Sequence, residues 1–304
     1  MKTISMKCDE WQVTSDKKDD AMGQTHSRRV SHVTLAAPKR SEGGRRPRAA
    51  FTLVELLTVI AIIAILAAML LPALARVKVL AQKKQARLEI DQIANAILKY
   101  DSDYGRFPVS TNAQIAASAA NSDYTYGGTG HDVTDSGTWT VGTTFTSGVI
   151  ASNSEVIAIL MDVTNYPNGQ PVLANLNYQK NPQQTIFLNA KMSGYDPSQP
   201  GAPTGGVDVN GVYRDPWGNP YIISLDLNYD ENCKDAFYCS DIVSGGGVNT
   251  NPGLNGLINP DTTQHNNFQL HGKVMVWSAG PDGKIDPTVS AISGANKDNV
   301  LSWQ

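Results

Sequence analysis

Between Phe51 and Leu71 every position is apolar except Thr52, Glu55 and Thr58. Such a stretch in α-helix, at about 1.5 Å per residue, reaches the ~30 Å thickness of a bilayer's hydrocarbon core. It is long enough to span a membrane. After Pro72 the character changes. Ala73 to Asp103 contains neither Gly nor Pro, and Ile90, Ile93, Ala94, Ile97 and Tyr100 recur at three-and-four spacing, which predicts an amphipathic helix packed along one face. Lys83, Lys84 and Arg87 make its first part more polar, as suits a helix leaving a bilayer, and Gly105 with Pro108 ends it.

The pattern then weakens. Residues 109–151 are rich in Ser, Thr, Asn and Gly, with Tyr124, Tyr126, Trp139 and Phe145 as the main apolar bulk, and predict irregular loops with a short hairpin. Ser152-Asn153-Ser154-Glu155 has the form of a capping box, before a short helix whose apolar face is Val156, Ile159, Leu160 and Val163. Tyr166-Pro167-Asn168-Gly169 closes that helix. A surface excursion follows over 165–205, with a short buried piece at Ile186-Phe187-Leu188. Strands are expected at Gly211-Val212-Tyr213, at Tyr221 to Leu225 and at Lys273 to Trp277. The expected fold class is α+β: a long N-terminal helix packed on a small antiparallel sheet, with a loop-rich insertion.

Charge divides the 304 residues unevenly: eleven Lys/Arg face six Asp/Glu in residues 1–50, against fourteen and twenty-two in the remainder. A basic leader ahead of a long apolar run is accounted for more economically by membrane topology than by nucleic acid, so no nucleic-acid partner is expected. Orientation stays open on charge counting, because basic residues flank the run on both sides. Glu55 is the informative position, since a carboxylate within a membrane helix costs several kcal/mol unless it stays near the interface or finds a partner. Cleavage between Ala50 and Phe51 would create an α-ammonium about one helical turn away, able to pair with Glu55 between staggered neighbouring helices. An ordinary signal peptidase site of A-x-A form at Ala73-Leu74-Ala75 is the competing reading, and it leaves Glu55 unexplained. Met22 is an alternative start that sheds Cys8 and keeps the basic segment. Cys233 and Cys239 lie six positions apart in the acidic body; if that body is exported, they are expected to pair, adding about 2 kcal/mol through a small closed loop.

The segment RAAFTLVELLTVIAIIAILAAMLLPAL resembles the processing and methylation signature of type IV prepilins and type II secretion pseudopilins. The resemblance implies that prepilin peptidase cuts before Phe51 and methylates its amine, that Glu55 is the glutamate of the motif, and that Pro72 is the family's helix-loosening proline. It also implies a cytoplasmic leader (1–50, removed), a transmembrane and filament-core helix (51–72), an amphipathic continuation (73–108) and a periplasmic domain (109–304). One departure is Ala50, where the family usually carries Gly. A second resemblance lies downstream. Asp215-Pro216-Trp217-Gly218-Asn219-Pro220-Tyr221 and Trp277-Ser278-Ala279-Gly280-Pro281-Asp282-Gly283 are similar to the C-terminal motif pair of major pseudopilins. This implies a structural Ca2+ held by the Asp282 side chain, the Ala279 carbonyl and a second carboxylate, for which Asp298 is the candidate, since hard cations need several oxygens around a bend.

Asp226-Leu227-Asn228-Tyr229-Asp230 opens like an EF-hand loop but lacks its sixth-position Gly and twelfth-position Glu, and is read as a solvated loop. No HExxH, GxSxG or Walker A pattern is present, and no enzyme is expected. The resemblances imply a filament subunit of the inner membrane whose partners are copies of itself, prepilin peptidase, other pseudopilins and the secretion platform. A type IV pilin for adhesion, motility or DNA uptake is the alternative within that architecture. A membrane-anchored or secreted module binding polysaccharide or protein through the aromatic insertion at 122–150 is the alternative outside it.

Overall fold

The computed structural model describes residues 52–120, 122–127, 136–138, 149–246 and 251–304. Two compact units divide the chain, Met1–Leu56 and Leu57–Gln304. Trp139, Phe145 and His131, and the leader with Cys8, Ala50 and Phe51, lie outside the described residues.

Helix α1 (Leu53–Tyr104) runs unbroken through Pro72. Its apolar first part is long and hydrophobic enough to cross a membrane, and none of that part is buried within the protein. Further along, the predicted stripe is the packed face: Ile90, Ile93, Ile97 and Tyr100 are fully buried. Gly105 adopts a left-handed φ of +62° and returns its N–H to the Asp101 carbonyl at 2.7 Å, so the glycine ends the helix as expected.

The next helix, α2 (Thr111–Ala120), was not expected. Its alanines pack at i, i+4 spacing, with Ala113 and Ala117 buried, and a stripe made only of small residues does not register as an apolar face. β1 (Tyr124–Tyr126) follows, then a hairpin of β2 (Ser136–Thr138) and β3 (Val149–Ala151), and α3 (Ser154–Leu160). The capping box does not form. Asn153 at the N-cap makes no side-chain cap bond and instead reaches across to the 211–221 region. Its amide donates to the carbonyls of Tyr213 (3.0 Å) and Tyr221 (2.8 Å) and accepts from Tyr213 N–H (3.0 Å), while Glu155 accepts from Ser110 N–H and the Tyr126 hydroxyl.

β4 (Gly206–Val207) pairs with β5 (Tyr213–Arg214) in a ladder of its own, so the predicted strand at 211–213 sits outside the main sheet. β6 (Ile222–Leu225) precedes β7 (Asn232–Cys233), α4 (Asp241–Ser244), β8 (Leu270–His271), β9 (Val274–Ser278) and β10 (Val300–Leu301). The main sheet is antiparallel in the order β1-β6-β9-β10, with Ile222 opposite Trp277 and Leu225 opposite Val274. Alternation along a strand sends successive side chains to opposite faces. Ile223, Leu225, Val274 and Val276 join the core with α1 and α3, whereas Ile222, Met275 and Trp277 join a second core with Phe237, Tyr238, Val243 and Phe268. The sheet is thus covered on both faces, which explains strands that read as continuous apolar runs. Of the piece at 186–188, Leu188 is buried and Ile186 is exposed.

Candidate functional site

At the start of α1 the sequence builds its own cap. Thr52 N–H and Oγ1 both donate to Glu55 Oε2, at 2.9 and 2.8 Å, and Glu55 N–H donates to Thr52 Oγ1 at 3.2 Å. This reciprocal box satisfies helix-end donors and aims the carboxylate at the first turn, where the N-terminal end of the helix dipole favours negative charge.

The two C-terminal motifs meet through one carboxylate. Asp215 is fully buried; Oδ1 accepts from Trp217 N–H and Asn219 N–H, both at 2.9 Å, and Oδ2 accepts from the Ser278 hydroxyl at 2.6 Å and the Asn219 amide at 3.3 Å. Asn219 Nδ2 also donates to the Gly280 carbonyl at 3.1 Å, and Gly280 N–H donates to Ser278 Oγ at 3.0 Å. Burial pushes Asp215 up to about 6 against the pull of these donors. Two side chains of α1 dock the same loop: Gln82 donates to the Pro216 carbonyl at 3.1 Å, and Glu89 accepts from the Tyr221 hydroxyl at 2.5 Å.

Gly280 has φ +71°, and a Cβ there would lie 2.4 Å from the Asp298 carbonyl, so the loop after β9 and the turn Gly294–Asp298 press together where only glycine fits. Asp298 Oδ1 and Asn299 Oδ1 are buried there without hydrogen-bond partners. Burial, then the charge of Asp282, raises the Asp298 carboxyl, and Lys83 opposes this. Asp282, exposed, accepts from Lys284 N–H at 2.9 Å. The expected ligand pair therefore lies within electrostatic reach, and buried oxygens without donors are the environment a hard cation relieves. Among the described residues no three His, Cys, Asp or Glu side chains converge on a metal position, so carbonyl oxygens and water would have to complete any shell.

The expected Cys233–Cys239 bridge is not formed in the structure, where both thiols are free and buried, Cys233 in the second core. Cys233 is fixed by β7, whereas the Cys239 thiol turns to donate to the Ala236 carbonyl at 3.5 Å. Burial pushes Cys239 up to about 12 and Cys233 well above the ordinary thiol range, where Asp123 and Asp235 add repulsion. The loop read as solvated is only partly so, since Asp226 is buried and accepts from the amides of Asp230 and Glu231.

Three buried acidic groups had no sequence signal. Asp235 accepts from Phe237 N–H, Tyr238 N–H, the Ser224 hydroxyl and the Trp277 indole at 2.7–2.9 Å, tying the cysteine loop to the sheet. Asp208 pairs with Arg214 at 2.8 Å with both side chains buried. Asp123 accepts from Lys234 N–H at 2.6 Å; burial, with Asp226 and Asp230 nearby, pushes it up to about 7.

A family model described as the prokaryotic N-terminal methylation motif matches residues 45–71, spanning Ala50, Phe51 and Glu55. The chain carries a prepilin-type N-terminus. That motif supports a pilin-like structural subunit in general, processed by prepilin peptidase, assembled with other pilin-like subunits and anchored by a single membrane pass. Neither the curated proteins nor the solved structures gave a match to this chain.

Proposed function

We propose that this chain is a structural subunit of a type II secretion pseudopilus, anchored in the inner membrane with its C-terminal domain in the periplasm. The methylation motif at 45–71, leading directly into a membrane-length helix, is the observation that carries the reading. Cleavage before Phe51 creates a new amine beside a carboxylate that the Thr52–Glu55 box already aims at the helix start. In a low-dielectric filament core, an amine of one subunit and Glu55 of a neighbour neutralise each other, which favours one axial stagger over others. Assembly then couples to export through other pseudopilins and the secretion platform. What favours secretion over adhesion, motility or DNA uptake is the resemblance of the motifs at Asp215–Tyr221 and Trp277–Gly283 to those of major pseudopilins; the Ser278–Asp215 bond joins the two motifs.

Asp282, Asp298 and the Ala279 carbonyl would hold a calcium ion, and the buried unpartnered oxygen of Asp298 fits that role. Bound calcium would cancel the repulsion between the two carboxylates. The chain's own part is to hold them in place through Gly280 and the Asn219 amide.

Mass spectrometry of the mature N-terminus tests processing. N-methylated Phe51, dependent on prepilin peptidase, is expected; a mature start at Arg76 overturns the proposal. Deleting the gene separates the two filament uses: loss of an extracellular enzyme with intact surface pili is expected, and the reverse favours the pilin reading.

A further inference from the structure

Between β6 and β7, Asp226, Asn228 and Asp230 set oxygen-bearing side chains at alternate positions, the spacing of positions one, three and five in a calcium loop. Such loops carry Gly at position six for a sharp turn. Here that position is Glu231, which nevertheless adopts a left-handed φ of +64°. Asp226 is 1% exposed and accepts from the Asp230 amide at Oδ1 (3.2 Å) and from the Glu231 amide at Oδ2 (2.9 Å). Each carboxylate oxygen keeps a further lone pair.

A distant strand supplies an independent observation. Asp123 precedes β1, and the register that sets Tyr124 opposite Leu225 sets Asp123 opposite Asp226 one step further on. Side chains so placed have Cβ atoms about 5 Å apart, and like charges there repel. Asp123 is 3% exposed; Oδ2 accepts from the Lys234 amide at 2.6 Å, and Oδ1 is buried without a hydrogen-bond partner. The Asp226 and Asp230 carboxylates and the Asn228 amide all act on it electrostatically, so Asp123 faces the loop. Among the described residues neither Asp123 nor Asp226 has an ion pair. Lys273, whose carbonyl accepts from the Asp226 amide, pairs with Asp101 at 2.9 Å, and the Lys234 ammonium donates to Asn267 at 3.1 Å.

Two buried carboxylates set face to face, one with an oxygen that no donor meets, are an arrangement that a hard cation relieves. We propose that Asp123 and Asp226 bind a calcium ion, with the Asn228 side-chain oxygen, backbone carbonyls and water completing its shell. Asp230, whose oxygens already accept from Asn228 and Asn232, adds negative charge from further out. Magnesium suits the site less, because it demands near-octahedral geometry. Two ligating carboxylates place the site among weak extracellular ones, with Kd about 10⁻⁴–10⁻³ M, so purification without added calcium is expected to strip it. It is separate from the Asp282 loop and stands independently of the filament reading.

The test uses the full chain in detergent micelles at pH 8, carrying Asp282→Ala to silence the C-terminal loop. Calorimetric titration with calcium chloride is expected to show one ion per chain, and adding Asp123→Asn is expected to weaken binding by about tenfold or more, since affinity follows ligand charge. Melting separates a metal site from two carboxyls that merely share a proton. Without calcium, Asp123→Asn is expected to melt above its parent, which also shows that it folds. At about 10 mM calcium the parent is expected to rise by about 3 °C and Asp123→Asn by less than about 1 °C. No binding by the parent, equal binding by both chains, or an equal rise in both overturns the proposal. Magnesium chloride is expected to leave the parent's midpoint in place; an equal rise with magnesium overturns the choice of calcium.

Discussion

Replacing Asp215 by alanine removes the group that joins the two C-terminal motifs. Two backbone amides and the Ser278 hydroxyl lose their acceptor, while the Asn219 side chain keeps the Gly280 carbonyl. Part-buried donors left unpaired cost about 1–3 kcal/mol each, so a loss of about 4 kcal/mol is expected when Asp215 is protonated and the wild type is at its best. The effect depends on pH. An acid whose folded pKa is raised from 3.8 to about 6 contributes stability that is full below 3.8 and declines as pH rises towards 6. That interval corresponds to about 3 kcal/mol, so Asp215→Ala is expected to look severe at pH 4.5 and mild at pH 8. Urea unfolding of the detergent-solubilised full chain, followed by tryptophan fluorescence at both pH values, measures the difference. A deficit that grows with pH, or one below about 1 kcal/mol at pH 4.5, refutes the reasoning.

Asp123→Asn carries the same sign with a higher midpoint: the wild type loses stability between 3.8 and about 7, so the variant is expected to be more stable at pH 8 by up to about 4 kcal/mol and indistinguishable at pH 4. Equal slopes of melting temperature against pH would reject this. Cys233 and Cys239 are expected to resist a thiol reagent in the folded protein and to react fully after unfolding without reductant; failure to react once unfolded would show a bridge. If calcium occupies the loop, chelator is expected to lower the wild-type melting temperature and leave Asp282→Ala unmoved. An unchanged wild-type midpoint removes calcium from the proposal.

Much of the helical architecture was written in local pattern. The membrane-length run and the stripe Ile90, Ile93, Ile97, Tyr100 read directly because one helix carries its own periodicity, and Gly105 ends that helix through its own backbone freedom. The methylation motif is equally local, as is the Thr52–Glu55 cap, where both partners lie within one helical turn. Helix α2 escaped because its buried residues are alanines, and the capping box failed because Glu155 accepts from Ser110 N–H and the Tyr126 hydroxyl while the Asn153 oxygen, which could have capped the helix donors, accepts from Tyr213 N–H.

What only the fold decided is which distant polar groups meet in the interior. Asp215 and Ser278 are 63 positions apart, Asp235 and Trp277 are 42 apart, and Lys234 and Asp123 are 111 apart. Linear spacing carries no trace of such pairs, because a buried carboxylate is placed by whichever donors the sheet and its covering loops bring to it. The cysteines make the same point from the other side: their proximity in sequence suggested a bridge, and the structure holds both as buried free thiols, Cys233 in the second core and Cys239 turned to the Ala236 carbonyl.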